Sequence, residues 1–152
     1  MVERFTYDVE GWGTGELVFA EGLLVWHDLP SAASDTRGNH PLAERIRRYF
    51  RGERDEFHDV ELDLDWCTTF QRAVADVLRE VSYGQTVTYG ELAALAGHPN
   101  AQRAAGTFCA GNRFPLVLPC HRVVAAAGLG SYGSLGVDYK RRLLALEGHA
   151  AL

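Results

Sequence analysis

The residues that could do chemistry converge on one stretch, Leu116-Val117-Leu118-Pro119-Cys120-His121-Arg122-Val123-Val124. A thiol stands between a proline and an imidazole, and the apolar flanks read as buried strand. A thiolate is a strong nucleophile, and histidine is the side chain best placed to take its proton near neutral pH. The pattern fits hydrolase, redox or group-transfer chemistry with Cys120 as nucleophile. Adjacent strand residues point to opposite faces, so Cys120 and His121 would need a bend or a bridging water to meet. Glu147 is the second signal. It stands in the last turn of a helix, just before Gly148, where the dipole makes a carboxylate unfavourable by ~0.3–1 kcal/mol. Such a placement calls for a partner, and His121 is the candidate.

Composition narrows the classes. The chain has 152 residues, 47% hydrophobic and 23% charged, ordinary for one or two small globular domains. No stretch approaches the ~20 apolar residues of a membrane helix. Met1-Val2-Glu3-Arg4-Phe5 lacks a basic-then-apolar leader pattern, so the expected location is cytoplasmic. Cys67, Cys109 and Cys120 form no Cys-x-x-Cys pair, and the six histidines are scattered. No disulfide framework, metal or cofactor is expected, and Cys67 and Cys109 read as small buried hydrophobes. Residues 1–81 carry nine Arg and seventeen Asp or Glu, whereas residues 82–152 carry six Arg or Lys and three Asp or Glu. The C-terminal half can therefore face a polyanion although the whole chain has a net charge of −5. Its bases are nearly all arginine, suited to bidentate phosphate contacts, and Lys140 is the only lysine.

The elements that position these residues follow from periodicity. Phe5, Tyr7 and Val9 alternate with polar residues as a strand. Gly11, Gly13 and Gly15 mark a turn, and Glu16–Ala20 and Leu23–His27 read as two further strands joined at Glu21-Gly22. Pro41 suits the start of a helix whose inner face is Leu42, Ile46, Tyr49 and Phe50. Val60, Leu62 and Leu64 alternate with acidic residues as an edge strand. Residues 66–81 read as a helix with Phe70, Val74, Val77, Leu78 and Val81 inward. Thr88 and Glu91 have capping-box spacing for a short helix ended by Gly97, and Asn100 is the expected N-cap of the next, Ala101 to about Ala110. Two short helices across such a turn have helix-turn-helix spacing. The second is small on nearly every side, with Arg103 its one long basic residue, so it offers little for base-specific readout. Gly128, Gly130, Gly133 and Gly136 around Tyr132 read as a wing or lid. Asp138 is the expected cap of a final helix carrying Leu143, Leu144 and Leu146. The fold class is α/β, with an N-terminal unit at 1–65 and a C-terminal unit at 66–152.

Pro119-Cys120-His121-Arg122-Val123 resembles the active-site signature of the O6-alkylguanine-DNA alkyltransferases, also called methylated-DNA–protein-cysteine methyltransferases. The likeness continues through Tyr83-Gly84, Thr88 to Ala93, Ala101 to Gly106, Gly111-Asn112 and Leu143 to Gly148. It implies a small ribonuclease H-like antiparallel sheet with a helix, then a winged helix-turn-helix-like domain. The implied activity is single-turnover transfer of an alkyl group from O6-alkylguanine, and from O4-alkylthymine, in double-stranded DNA to Cys120, after base flipping through the minor groove. His121 would act as base through a water, Glu147 would orient it, and Asn112 would brace the turn. Arg103 would enter the duplex as a finger, and Tyr89 would press on the target phosphate. Thr88, Ala101, Ala104 and Arg113 would lie along the DNA. Val123, Tyr132, Ser134 and Tyr89 would line the base pocket. The implied protein is a monomer without cofactor.

Some positions depart from the family pattern. Arg113 replaces a common proline, Ala110 brings no positive charge, and Tyr132 aligns with the lid tyrosine only after a one-residue shift. Three rivals predict other features. A non-catalytic alkyltransferase-like damage sensor lacks the acceptor cysteine, whereas Cys120 is present. A winged-helix transcription factor needs a polar recognition helix, which 101–110 is not. A papain-like thiol hydrolase, using Cys120, His121 and Asn112, does not place nucleophile and base side by side.

Overall fold

The computed structural model describes residues 1–149. Its N-terminal part is an antiparallel sheet in the order β1 (Val2–Val9), β2 (Gly13–Ala20), β3 (Leu23–Asp28). The β2–β3 loop is the two-residue Glu21-Gly22, with φ of 51° and 80°; two left-handed residues match the twist of the strands they join. Gly13 and Gly15 lie inside β2 rather than in the preceding turn. A Cβ on Gly15 would meet the Tyr7 ring at 2.4 Å, so the strand needs glycine where a buried aromatic crosses it.

Helix α1 (Pro41–Phe50) has Pro41 at its start, and His40 Nδ1 accepts from the Leu42 N–H at 3.1 Å. Its buried face is the expected one, Leu42, Ile46, Tyr49 and Phe50. The expected edge strand at 60–64 does not form; Leu62 makes one parallel bridge to Leu24. Two backbone bonds join the segment to β3, Leu24 N–H to the Glu61 carbonyl at 2.9 Å and Asp63 N–H to the Leu24 carbonyl at 3.0 Å, while the Arg79 guanidinium takes the Val60 carbonyl at its start and those of Phe57 and His58 before it.

The remaining helices are shorter than their apolar periods suggest. Helix α2 (Thr69–Arg79) begins at a Thr68–Gln71 capping box, a stop that the hydrophobic period did not reveal. The short strand β4 (Val87–Thr88) leads into α3 (Tyr89–Leu95), which carries the expected Thr88–Glu91 capping box. Helix α4 (Gln102–Ala110) starts without a side-chain cap. Asn100 is not that cap. Its φ of 74° places it in the left-handed turn, a conformation asparagine tolerates. Residues 116–122 are not strand: Cys120–Arg122 form one 3-10 turn, and only Val123–Val124 (β5) pair, in parallel with β4. Helix α5 (Val137–Leu146) follows Gly136, so Asp138 stands in its first turn and does not cap it.

One continuous apolar core runs from Tyr7 and Leu17 through Ile46 and Leu78 to Leu118 and Leu143. No helix among the described residues is long and apolar enough to cross a membrane. His27 joins the sheet to the segment before Cys120. Its backbone N–H donates to the Arg113 carbonyl at 2.8 Å, and Nδ1 lies 2.9 Å from the Pro115 carbonyl. A carbonyl can only accept, so Nδ1 carries the proton and Nε2 accepts from the Tyr7 hydroxyl at 2.5 Å. Burial lowers the His27 pKa to about 4.

The unfolded chain therefore binds a proton at His27 before the folded one does. The associated stability is complete above pH ~6.5 and falls as the pH drops toward ~4, by about 3 kcal/mol in all. Urea titrations across this window should show a weaker pH dependence for His27→Gln than for the parent. Parallel curves would place the acid sensitivity elsewhere.

Candidate active site

The loop between α4 and the 3-10 turn delivers Cys120. Asn112 braces it: Nδ2 donates to the Leu118 carbonyl at 2.8 Å, and Oδ1 accepts from the Phe114 N–H at 2.8 Å. Leu116 adopts a φ of 74°, and the Leu118 and Cys120 amides both donate back into the loop at 2.8 Å. Pro119 supplies no N–H, and the chain bends there into the turn. The bend replaces the opposite-facing geometry of a strand, so Cys120 and His121 are successive residues of one tight turn.

Cys120 is buried, and burial pushes its thiol pKa well up; the neighbouring Cys109 thiol adds to this. Lys140 and Asn112 act in the opposite direction. Cys109 is only half-buried and acts on Cys120, so it is more than a core filler; Cys67 is also half-buried. Lys140 is fully buried, its Nζ donating to the Ser131 carbonyl at 3.1 Å and lying 5.6 Å from the centre of the Tyr89 ring. Burial lowers its pKa to about 8, against the pull of the two thiols.

His121 is fully buried, with Nε2 2.7 Å from Glu147 Oε2. The expected partner of Glu147 is therefore in place. The carboxylate holds other donors as well. Arg122 Nε reaches Oε1 at 2.9 Å and Nη2 reaches Oε2 at 3.0 Å. The Gly84 N–H donates to Oε1 at 3.0 Å, and the Tyr49 hydroxyl to Oε2 at 2.5 Å. Burial alone would raise the Glu147 pKa; the bonds from His121 and Arg122 outweigh it and hold the group far below the usual carboxylate range. Burial lowers the His121 pKa more than Glu147 raises it. The resting pair is a neutral imidazole on a carboxylate. Nε2–H faces Glu147, and Nδ1 has no protein partner among the described residues.

Two cavities flank the segment 130–135. One, of about 770 Å³, is open and lined by Tyr89, Gln102, Arg103, Thr107, Gly130 and Ser131. Arg103 is exposed at its edge and makes no ion pair among the described residues. The other, of about 610 Å³, lies toward the sheet and includes Cys109, Asn112, Tyr132 and Ser134. Ala110 lines both. The Tyr132 hydroxyl is buried without a partner among the described residues.

Other expected site residues fall outside these walls. Arg113 lies over the Trp66 ring at 3.9 Å and lines neither cavity. Ala101 and Ala104 also line neither cavity. The Thr88 hydroxyl accepts from the Glu91 N–H, and the Val123 N–H is taken by the Cys120 carbonyl. Sequence reasoning missed Tyr49, Arg122 and Lys140 as parts of the site. Tyr49 looked like one more apolar residue of the α1 stripe. Arg122 and the lone lysine were visible, but nothing local named their partners.

Residues 69–149 match the family described as 6-O-methylguanine DNA methyltransferase, DNA binding domain. A methylated-DNA–protein-cysteine methyltransferase of Methanopyrus kandleri is 44% identical over 117 residues, 76% of this chain and 86% of its own length. That of Metallosphaera sedula is 41% identical over 97% of this chain and 94% of its own. The crystal structure of Mycobacterium tuberculosis O6-methylguanine methyltransferase superposes with a TM-score of 0.83 at 34% identity, covering 99% of this chain and 95% of that one. The M. tuberculosis protein in complex with DNA gives 0.79 at 33% identity over 95% and 92%. With a cysteine, a histidine and a carboxylate arranged at one turn and likeness along nearly the whole chain, this protein belongs to the methylated-DNA–protein-cysteine methyltransferase family.

Proposed function

We propose that the protein repairs DNA by direct reversal, moving an alkyl group from O6 of guanine in double-stranded DNA to Cys120. The observation that carries this reading is the buried Glu147–His121 pair at the turn of Cys120, with the Nδ1 lone pair unclaimed. The thiol proton passes through a water to His121 Nδ1. The sulfur attacks the alkyl carbon, the C–O bond breaks as the C–S bond forms, and the proton returns to the guanine that leaves. A thioether is stable, so each molecule acts once.

The target base is flipped out of the stack, at a cost of a few kcal/mol that is smaller for a weakened O6-alkylguanine pair. Arg103, exposed beside Tyr89 at the mouth of the open cavity, fills the space in the duplex while Tyr89 presses on the phosphate. Gln102 and Thr107 on the same wall add polar contacts. The α3–turn–α4 pair serves as a helix-turn-helix that approaches the minor groove, where its small residues fit. In this reading the winged C-terminal unit begins near residue 66, the sheet and α1 form a ribonuclease H-like N-terminal unit, and the protein acts as a monomer.

Incubation with duplex DNA carrying O6-methylguanine should add one methylene to the Cys120 peptide, read by mass spectrometry. Cys120→Ala should bind the damaged duplex and acquire no mass; transfer by that variant would end this mechanism. Arg103→Ala should react with the duplex roughly tenfold or more slowly, equivalent to ~1.4 kcal/mol of lost flipping energy. Its reaction with free O6-benzylguanine should stay within about twofold, a split to be measured by single-turnover kinetics. Equal losses on both substrates would make Arg103 a structural residue.

A further inference from the structure

Glu147 Oε2 accepts from His121, Arg122 and Tyr49, at 2.7, 3.0 and 2.5 Å. Two of these donors come from the 3-10 turn itself. Tyr49 comes from α1, 98 residues away in sequence from Glu147. Its side chain is almost fully buried, packed edge-on against Phe50 and Tyr83. A buried tyrosine hydroxyl needs a partner, and that alone accounts for one bond. It does not account for the second relation: the same hydroxyl oxygen lies 3.4 Å from His121 Nε2.

The hydroxyl has one proton, and Glu147 takes it. Only oxygen lone pairs then face the imidazole. Nε2 meets two acceptor oxygens, Glu147 Oε2 and Tyr49 Oη. A bare lone pair on Nε2 would be repelled by both. The ring proton is therefore held on Nε2, and the free lone pair falls on Nδ1, which has no protein partner among the described residues.

We propose that Tyr49 is a positioning residue for alkyl transfer: its hydroxyl holds and tempers the Glu147 carboxylate that grips His121 Nε2–H, leaving Nδ1 available as base for the Cys120 thiol. This rests on the function proposed above. It gives the sheet-bearing N-terminal half a chemical task, because α1 carries the hydroxyl into the site. The bond also draws electron density from Oε2 and so moderates the basicity that Glu147 confers on His121. The charged groups acting on His121 are Glu147 and Lys140 from α5 and Arg122 from the turn, with Tyr49 the neutral dipole from α1.

Two substitutions test this in the full-length protein. Tyr49→Phe removes the donor, and 3-fluorotyrosine placed at position 49 strengthens it while keeping the ring. A stronger donor weakens Oε2 as an acceptor and lowers the basicity of His121, and a missing donor raises it. The acid limb of transfer from free O6-benzylguanine should move to higher pH in Tyr49→Phe and to lower pH with fluorotyrosine. At neutral pH, Tyr49→Phe should be roughly tenfold slower, a part of what a well-placed base contributes. Nitrogen-15 spectra of His121 should show the Nε2–H tautomer in all three proteins, with its titration moved to higher pH in Tyr49→Phe and to lower pH with fluorotyrosine. A purely structural role would leave the His121 titration and the pH limb of Tyr49→Phe unchanged, or shift the two variants in the same direction; either result overturns the proposal. If Tyr49→Phe does not fold, the fluorotyrosine shift decides. The tautomer spectra do not depend on turnover, so failure of the parent to transfer any alkyl group would sink the proposed function and leave this test readable.

Discussion

A carboxylate taken out of water loses several kcal/mol of hydration, and the fold must return it through donors. Glu147 is that carboxylate. It closes α5 at the unfavourable end of the helix dipole, and it is 6% exposed. Five hydrogen bonds converge on its two oxygens, from the backbone after α2, from both residues that follow Cys120, and from α1. Each donor is held by its own element. The elements around the nucleophile are therefore tied to one another through a single charge, and a shift of any one leaves a buried donor or acceptor unpaired.

Burial sets the resting chemistry beside it. Burial pushes the Cys120 thiol up and the His121 imidazole down, so moving the proton between them is uphill in the resting protein. Burial favours the neutral thiol at Cys120, which is 3% exposed. Lys140 and Asn112 favour the ionised form, and Glu147 stabilises an imidazolium if one forms. Asn112, from inside the loop, and His27, from the sheet, secure the approach to the turn.

The local signals proved reliable where a residue's neighbours in sequence are its neighbours in space. The Thr88–Glu91 capping box, the Glu21-Gly22 hairpin and the apolar face of α1 all formed as their spacing predicts. They failed where a distant group competes for the backbone. The alternation at 60–64 has the period of a strand, but Arg79 takes the Val60 carbonyl and only Leu62 bridges to Leu24. Asn100 has the chemistry of a cap, and the turn before α4 needed a left-handed residue more. The run 116–122 is apolar enough for a strand, yet Pro119 and the Asn112 brace bend it into a 3-10 turn.

By itself, the sequence singled out Cys120, the histidine beside it and the need of Glu147 for a partner. Those follow from residue type, from adjacency and from the helix dipole, all short-range properties. Tertiary structure alone decided how the partner is shared. Tyr49, Gly84 and Arg122 reach Glu147 from separate elements, and Cys109 and Lys140 reach Cys120 from α4 and α5. An apolar stripe looks the same whether its tyrosine ends in hydrocarbon or on a carboxylate. The difference is made by the burial of a charge, and a charge is buried only when distant segments close over it.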